Sequence, residues 1–204
     1  MGKIFIISAP SGAGKTSLVK GLTDKLAFIR TSISYTTRKI RESELDGEDY
    51  FFINKSEFER KIKNNEFLEH QTVYGNLYGS TTESIKSVLK KDNDVVLEID
   101  YKGMMAVKKS IPDAIAIYIL PPSIHVLKER LQKRGEDEEK TIFLRVSSAE
   151  KELRYAEYAD YTIINDNFQH ALNSLIAIIL INKVETNSIN EWAHQLLDLN
   201  KHVV

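Results

Sequence analysis

The strongest constraint on this chain is one eight-residue segment between an apolar run and a helical pattern, Ala9-Pro10-Ser11-Gly12-Ala13-Gly14-Lys15-Thr16. The segment fits the phosphate-loop pattern, except that Ala9 stands where the strict pattern has glycine. Its two glycines let the backbone curl so that successive N–H groups point at a polyphosphate, and the start of the following helix adds positive potential. The alternative is an ordinary turn with an exposed lysine, which the strand before and the helix after disfavour. The sequence therefore predicts a nucleoside-triphosphate site.

Lys15 and Thr16 carry the charge and the metal-ligating oxygen of this predicted site. Lys15 is expected to neutralise the β- and γ-phosphates, and the Thr16 hydroxyl is expected to ligate Mg²⁺. Both belong to the predicted ATP-binding set, together with the six residues that precede them.

Apolar runs and helical patterns alternate along most of the chain. The predicted strands lie at residues 3–8, 94–100, 114–120 and 161–165. The predicted helices include residues 15–25, 123–134, 140–159 and 168–184. Because strands that alternate with helices form parallel sheets covered on both faces, we expect an α/β fold. Residues 32–80 are instead aromatic, polar and rich in turn residues, which indicates a smaller inserted sub-domain with antiparallel strands.

Length and composition exclude several classes of protein. The chain has 204 residues, no cysteine and a formal net charge of −1. We therefore expect one domain with mobile sub-domains, and no disulfide scaffold, thiolate zinc site or cysteine nucleophile. The charge gives no sign of a nucleic-acid coat or a membrane-surface protein. The apolar run at residues 4–7 is too short for a signal peptide, so we expect a soluble, cytoplasmic protein.

Seven separated motifs resemble those of the guanylate kinase family in order and spacing, across about residues 3–184. Besides the phosphate loop, the resemblance rests on Ser34-Tyr35-Thr36-Thr37-Arg38, Gly47-Glu48-Asp49-Tyr50-Phe51-Phe52, Glu66-Phe67-Leu68-Glu69-His70, Tyr74-Gly75-Asn76-Leu77-Tyr78-Gly79-Ser80, and the later stretches around Asp100, Pro121 and Asn165. It implies a phosphate-loop core at residues 2–31, 81–122 and 146–184, flanked by helices. It also implies a mixed α/β insertion that binds GMP at residues 32–80, a helical lid at 123–145 and a C-terminal tail at 185–204.

The resemblance implies transfer of the γ-phosphoryl group of ATP, bound with Mg²⁺, to the 5′-phosphate of GMP and also of dGMP. The products would be ADP and GDP, in a step of guanine nucleotide recycling. The implied partners are ATP and GMP or dGMP, with no nucleic acid and no membrane, and the residues leave monomer and homodimer open. Since the acceptor is already an anion, catalysis needs positioning and charge stabilisation rather than a covalent intermediate or a strong base.

By the same resemblance, Arg38, Arg41, Tyr50 and Tyr78 hold the phosphate of the acceptor. Arginine suits this task because its planar fork meets phosphate oxygens bidentately. The alternative for the two arginines alone is a solvated basic turn balanced by nearby acidic residues, which the two tyrosines disfavour.

The resemblance assigns the guanine base to Ser34, Glu69, Ser80 and Asp100. Guanine presents N1–H and its exocyclic amine as adjacent donors, so one carboxylate can accept from both, whereas adenine offers no such pair. Glu69 is the expected discriminating carboxylate. Asp100 has an independent argument, because the C-terminal end of a parallel strand lies at the ligand-binding rim. We expect Asp100 to serve the base, the water shell of Mg²⁺, or both.

Residues 123–145 are expected to form the lid. Arg130 and Arg134 are four apart on one helical face, and Arg145 lies on the next helix. A merely solvated helix is the alternative. By resemblance, these arginines close over the phosphates as the phosphoryl group moves, while Asn165 touches the adenine side of ATP. The expected catalytic residues are Lys15, Arg38, Arg130, Arg134 and Arg145.

Three positions depart from the family pattern. The segment between Arg38 and Glu44 lacks the proline and glycine that the family often has, which predicts a less pre-formed loop and weaker acceptor binding. Lys102 stands where glutamine is usual, and Asn167 replaces a common acidic residue. None of these changes removes a group that the chemistry needs.

Two other functions compete with this interpretation. An inactive guanylate-kinase-like module would hold phosphorylated peptides, but such modules lack an intact phosphate loop or the lid arginines. A kinase for another nucleoside monophosphate, such as adenylate or thymidylate kinase, would share the phosphate loop but not the constellation at residues 34–80.

Overall fold

A five-stranded parallel sheet forms the centre of the molecule, in the order β2-β7-β1-β8-β9. Its strands are β1 (Ile4–Ser8), β2 (Ile29–Thr31), β7 (Asp94–Glu98), β8 (Ile115–Leu120) and β9 (Tyr161–Ile164). The central strand β1 is paired on both sides, and Phe5, Ile6 and Ile7 are fully buried. Such continuous apolar runs suit strands that are covered on both faces. The computed structural model describes residues 2–42, 44–73, 75–91, 93–134 and 139–183, without the side chain of Arg134.

Helices cover both faces of this sheet. On one face, α1 (Lys15–Lys25) and α7 (Phe168–Lys183) pack over Phe5 and Ile7. On the other, α3 (Thr82–Leu89), α4 (Tyr101–Ser110) and a short 3₁₀ helix (Leu153–Tyr158) pack over Ile6, Leu97 and Tyr118. Because successive side chains of a strand point to opposite faces, Phe5 and Ile7 enter one core and Ile6 enters the other.

A second, four-stranded sheet, in the order β4-β3-β6-β5, is built from residues 35–81. It contains β3 (Tyr35–Thr36), β4 (Phe51–Phe52), β5 (Phe67–Val73) and β6 (Asn76–Thr81), with α2 (Lys55–Lys63) between the second and third of them. An aromatic cluster supports it: the ring of Phe67 stacks on Phe58 at 4.4 Å and meets Tyr35 edge-on at 6.0 Å. Only the β3–β4 pair is parallel; the other pairs are antiparallel, as the sequence predicted.

Two helices, α5 (Ile124–Arg134) and α6 (Glu139–Glu152), form an arm beside the central sheet. They share a small core of their own, made of Leu127, Leu131, Ile142 and Ala149. This small core is separate from the two cores of the central sheet.

The α/β fold with a parallel core and an inserted mixed sheet is confirmed. The sequence missed β2, and the helix predicted at residues 140–159 is α-helical only to Glu152 before it tightens into the 3₁₀ helix. The division into core, insertion and lid stays a prediction, and the tail at residues 185–204 lies outside the described residues. None of the helices in the described ranges has the length and apolar character needed to cross a bilayer.

Candidate functional site

The phosphate loop connects β1 to α1 at the C-terminal edge of the central sheet. Gly12 and Gly14 adopt φ values of 90° and 92°, a left-handed conformation that favours glycine. The turn is closed by a hydrogen bond from the Ala13 N–H to the Pro10 carbonyl at 3.2 Å. Gly14 is also the N-cap of α1 and provides no capping side chain, so the first N–H groups of the helix are available to an anion.

Asn165, just after β9, holds this loop from the side. It is buried, and its Nδ2 donates to the Ala13 carbonyl at 2.8 Å. A β-carbon at Gly14 would collide with the same Nδ2, so glycine is required there for space as well as for φ. The sequence placed Asn165 beside adenine; in the structure its amide contacts the loop backbone.

Lys15 and Thr16 reach from the loop toward β7. The Lys15 Nζ donates to the Ile99 carbonyl at 3.0 Å, and the Thr16 hydroxyl donates to the carboxylate of Glu98. Asp100, which the sequence predicted to serve the base, the water shell of the metal, or both, caps α4 by accepting from the Gly103 N–H at 2.8 Å. The contact from Thr16 to Glu98, the last residue of β7, was not predicted from the sequence, although Glu98 lies only two residues before Asp100.

The oxygens of Thr16 and Glu98 are the kind of ligands that Mg²⁺ prefers, and a magnesium ion that also binds phosphates needs only one or two protein ligands. Among the described residues, no group of three or more His, Cys, Asp or Glu side chains is arranged to hold a metal by itself. The donor set therefore fits a metal that arrives with a nucleotide better than a metal that the protein holds alone.

Two arginines of the helical arm contact the phosphate loop directly. Arg130 donates from Nη2 to the Asn165 carbonyl at 2.9 Å, and its Nη1 lies 3.5 Å from the Ala13 carbonyl. Arg145 donates from Nη1 to Ser11 Oγ at 3.2 Å. The arm therefore brings two cations to the loop, while the side chain of Arg134 lies outside the described residues.

The inserted sheet brings the predicted acceptor-phosphate residues together. Arg38 donates from Nε to the Tyr78 hydroxyl at 3.2 Å, and its Cζ lies 5.6 Å from the ring centre of Tyr50. The rings of Tyr50 and Tyr78 are 5.8 Å apart, and Arg41 is held near Arg38 through Glu44. Burial raises the pKa of Tyr50, so its hydroxyl keeps the proton that it can donate.

Glu69 is a buried residue of β5 that is paired with Ser80 of β6. It is 6% exposed and accepts from the Ser80 N–H at 3.0 Å, while Ser80 Oγ lies 3.0 Å from Ser34 Oγ. A β-carbon at Gly103 would come within 2.9 Å of Glu69 Oε2, so that glycine leaves room for the carboxylate. Burial raises the pKa of Glu69 to about 7, and the charge of Asp100 adds to the rise. The hydrogen bonds from Ser80 and the charge of Lys15 oppose it.

Glu152, at the end of α6, is a second unusual carboxyl that the sequence did not reveal. Burial raises its pKa to about 7, with a contribution from Asp100, while Lys15 and Lys102 lower it. The local sequence gives no sign that this residue is unusual, because an acidic side chain on a helix with several charged residues is expected to be exposed to solvent. Glu152 is therefore close enough to Asp100, Lys15 and Lys102 to feel their charges.

Comparison with known proteins places these features in a family. The model of the guanylate kinase family matches residues 1–181. The chain is 45% identical over 185 residues to a guanylate kinase from Alcanivorax borkumensis, with 91% of this chain and 89% of the relative covered. It is 47% identical to one from Hydrogenovibrio crunogenus over 182 residues, 89% of each. The solved guanylate kinase of Anaplasma phagocytophilum superposes with a TM-score of 0.72 at 28% identity, covering 91% of this chain and 88% of that one.

Proposed function

The chain belongs to the guanylate kinase family, and we propose that it transfers the γ-phosphoryl group of ATP to GMP and dGMP, giving ADP and GDP or dGDP. The observation that carries this proposal is the buried carboxylate of Glu69. It accepts from the Ser80 N–H, while Ser80 Oγ lies 3.0 Å from Ser34 Oγ, and it is within the electrostatic reach of Lys15 from the phosphate loop. The proposed guanine site and the proposed triphosphate site would therefore lie close to each other.

On the donor side, the loop N–H groups and the start of α1 would bind the phosphates of ATP. Lys15 would leave the Ile99 carbonyl for the β- and γ-phosphates, since a phosphate is the stronger acceptor for an ammonium group. Mg²⁺, when bound with ATP, would neutralise phosphate charge, and Thr16 and Glu98 are the residues proposed to hold it.

On the acceptor side, Glu69 in its ionised form would accept from N1–H and the exocyclic amine of guanine. Ser34, Ser80 and Asp100 are proposed to complete the contacts to the base. Arg38, Arg41, Tyr50 and Tyr78 would bind the phosphate of GMP. Because the aromatic rings and arginine planes are already packed together, little side-chain entropy is lost when GMP binds.

The reaction itself is proposed to be a direct in-line transfer. The acceptor phosphate already carries negative charge, so no residue has to remove a proton before it attacks. The main barrier is repulsion between two polyanions, which the cations around the cleft offset. We propose that Lys15, Arg38, Arg130, Arg134 and Arg145 supply that positive charge, and that the arm formed by α5 and α6 excludes water from the transfer.

A coupled assay of ADP release tests this function. With ATP and Mg²⁺, we expect fast turnover on GMP and dGMP and much slower turnover on AMP and UMP. Preference for AMP or UMP would identify a kinase for another nucleotide, and no turnover with retained GMP binding would identify a binding module.

A further inference from the structure

Glu44 is the carboxylate that contacts both arginines of the proposed acceptor-phosphate site. Its Oε1 accepts from Arg38 Nη2 at 2.6 Å, and its Oε2 accepts from Arg38 Nη1 at 2.9 Å. The Oε2 atom also accepts from the Arg41 backbone N–H at 2.9 Å, and Arg41 Nη1 lies 3.7 Å from Oε1. The pair with Arg38 is bidentate, the form of arginine–carboxylate contact that most restricts geometry.

This contact sets which edge of the Arg38 guanidinium faces a ligand. A guanidinium carries five N–H hydrogens. Glu44 and the Lys39 carbonyl accept three of them, from Nη1 and Nη2, and Nε donates to Tyr78. The fifth hydrogen, on Nη2, lies on the same edge of the guanidinium as the Nε hydrogen, and this edge faces the Tyr78 hydroxyl. A phosphate can therefore bind this edge and Tyr78 together while Glu44 stays in place.

Glu44 also shapes the loop that lacks the usual proline and glycine. Its backbone N–H donates to the Arg41 carbonyl at 3.1 Å, while its side chain accepts from the Arg41 N–H. Such side-chain and backbone hydrogen bonds stabilise a turn. Glu44 thus links Arg41 to the end of the segment that lacks proline and glycine.

The negative charge of Glu44 and its contacts with the arginines have opposite effects on phosphate binding. Burial disfavours its ionisation, but hydrogen bonds from Arg38 and from the Arg41 backbone outweigh burial and lower its pKa. The ionised carboxylate reduces the charge of the two arginines from +2 to +1, which weakens their attraction for a phosphate. Removing the charge would therefore strengthen GMP binding if Glu44 only neutralised the arginines, and weaken it if Glu44 orients them.

We propose that Glu44 is a positioning residue of the acceptor site, which holds the Arg38 fork and the surrounding loop in the orientation that receives the phosphate of GMP. The inference rests on the proposed function, because it requires that the arginines bind that phosphate. It extends the site to a residue that does not itself touch the nucleotide.

The substitution Glu44→Gln tests this role, with Glu42→Gln as the matched control, since Glu42 is exposed and its change removes the same charge two residues away. Calorimetry first establishes that the wild-type protein binds GMP, and failure there would refute the proposed function rather than this inference. Loss of the charge-assisted bonds should raise the GMP dissociation constant and KM about tenfold in E44Q, with kcat and the KM for ATP within about twofold. E42Q should bind GMP like the wild type.

A double-mutant cycle with Arg38→Lys shows whether Glu44 acts through Arg38. Lysine has no fork to orient, so E44Q should weaken GMP binding much less in R38K than in the wild type. An unchanged or lower GMP dissociation constant in E44Q would overturn the proposal, as would an equal effect in both backgrounds. If E44Q does not fold, Glu44→Asp replaces it, because the shorter side chain keeps the charge but loses the bidentate reach and should raise the same constant.

Discussion

Glu69 is deeply buried, with one carboxylate oxygen bonded to the Ser80 N–H and the other beside Gly103 of α4. The substitution Glu69→Gln keeps its size but replaces one acceptor with a donor, which opposes one donor of guanine. We expect kcat/KM for GMP to fall about tenfold or more, since an unpaired buried polar group costs about 1–3 kcal/mol. ATP binding without GMP should stay near normal. Steady-state kinetics measures this loss, with Glu59→Gln, an exposed position on α2, as the control. If kcat/KM for GMP is unchanged in Glu69→Gln, Asp100 becomes the better candidate for the carboxylate that recognises guanine.

Asn165 permits a test that separates contact with adenine from support of the phosphate loop. Its amide donates to the Ala13 carbonyl at 2.8 Å, so Asn165→Ala should leave that carbonyl only the longer contact from Arg130 and loosen the loop. We expect binding of ATP and of base-free tripolyphosphate to weaken by the same factor, about tenfold. Equilibrium titration of both ligands measures this, with Asn167→Ala as the control. Loss of ATP binding alone would show instead that Asn165 reads the base.

At the scale of elements, the sequence predicted the strands, helices and loops whose residue patterns lie within one short segment of the chain. The phosphate loop was recognisable because its glycines, Lys15 and Thr16 stand at fixed spacing within one short segment. Strand β1 was recognisable because its apolar run is unbroken. The three-residue strand β2 is too short to produce a pattern, and it is a strand only because β7 pairs with it. Contacts between distant segments were equally invisible: the bond from Thr16 to Glu98 crosses 82 positions of the chain.

The elements around the cleft are expected to move when both nucleotides bind. Two polyanions in an open cleft would stay hydrated, so the insertion and the helical arm must approach each other to exclude water. Because the chain has no cysteine, Glu59→Cys on α2 and Lys133→Cys on α5 provide the only two thiols for spin labels.

The distance between these labels should shorten partly with GMP and further when a non-hydrolysable ATP analogue is added. Pulsed electron resonance on the doubly labelled protein measures it, and retained kinase activity is the control. Equal distances in the free and doubly bound states would contradict closure and favour a site that is formed in advance.

At the scale of the whole molecule, the cleft lowers the stability of the fold near neutral pH. Glu69 and Glu152 both have pKa values raised to about 7, primarily by burial, from an ordinary value of 4.5. Between these values the folded protein binds more protons than the unfolded chain. The stability that these carboxyls contribute is therefore complete below about pH 4.5 and is lost as the pH rises through about 7.

We accordingly expect the melting temperature of the ligand-free protein to fall between pH 6 and pH 8, and to fall less in Glu69→Gln, which has no proton to lose. GMP should act in the opposite sense. Its donors favour the ionised form of Glu69, so binding releases a proton from the fraction that is still protonated and is stronger at pH 8 than at pH 6. The upward shift in melting temperature at a fixed GMP concentration should therefore be larger at pH 8. Thermal unfolding across this range checks both trends, and a GMP shift that shrinks with rising pH would mean that Glu69 binds guanine in its protonated form.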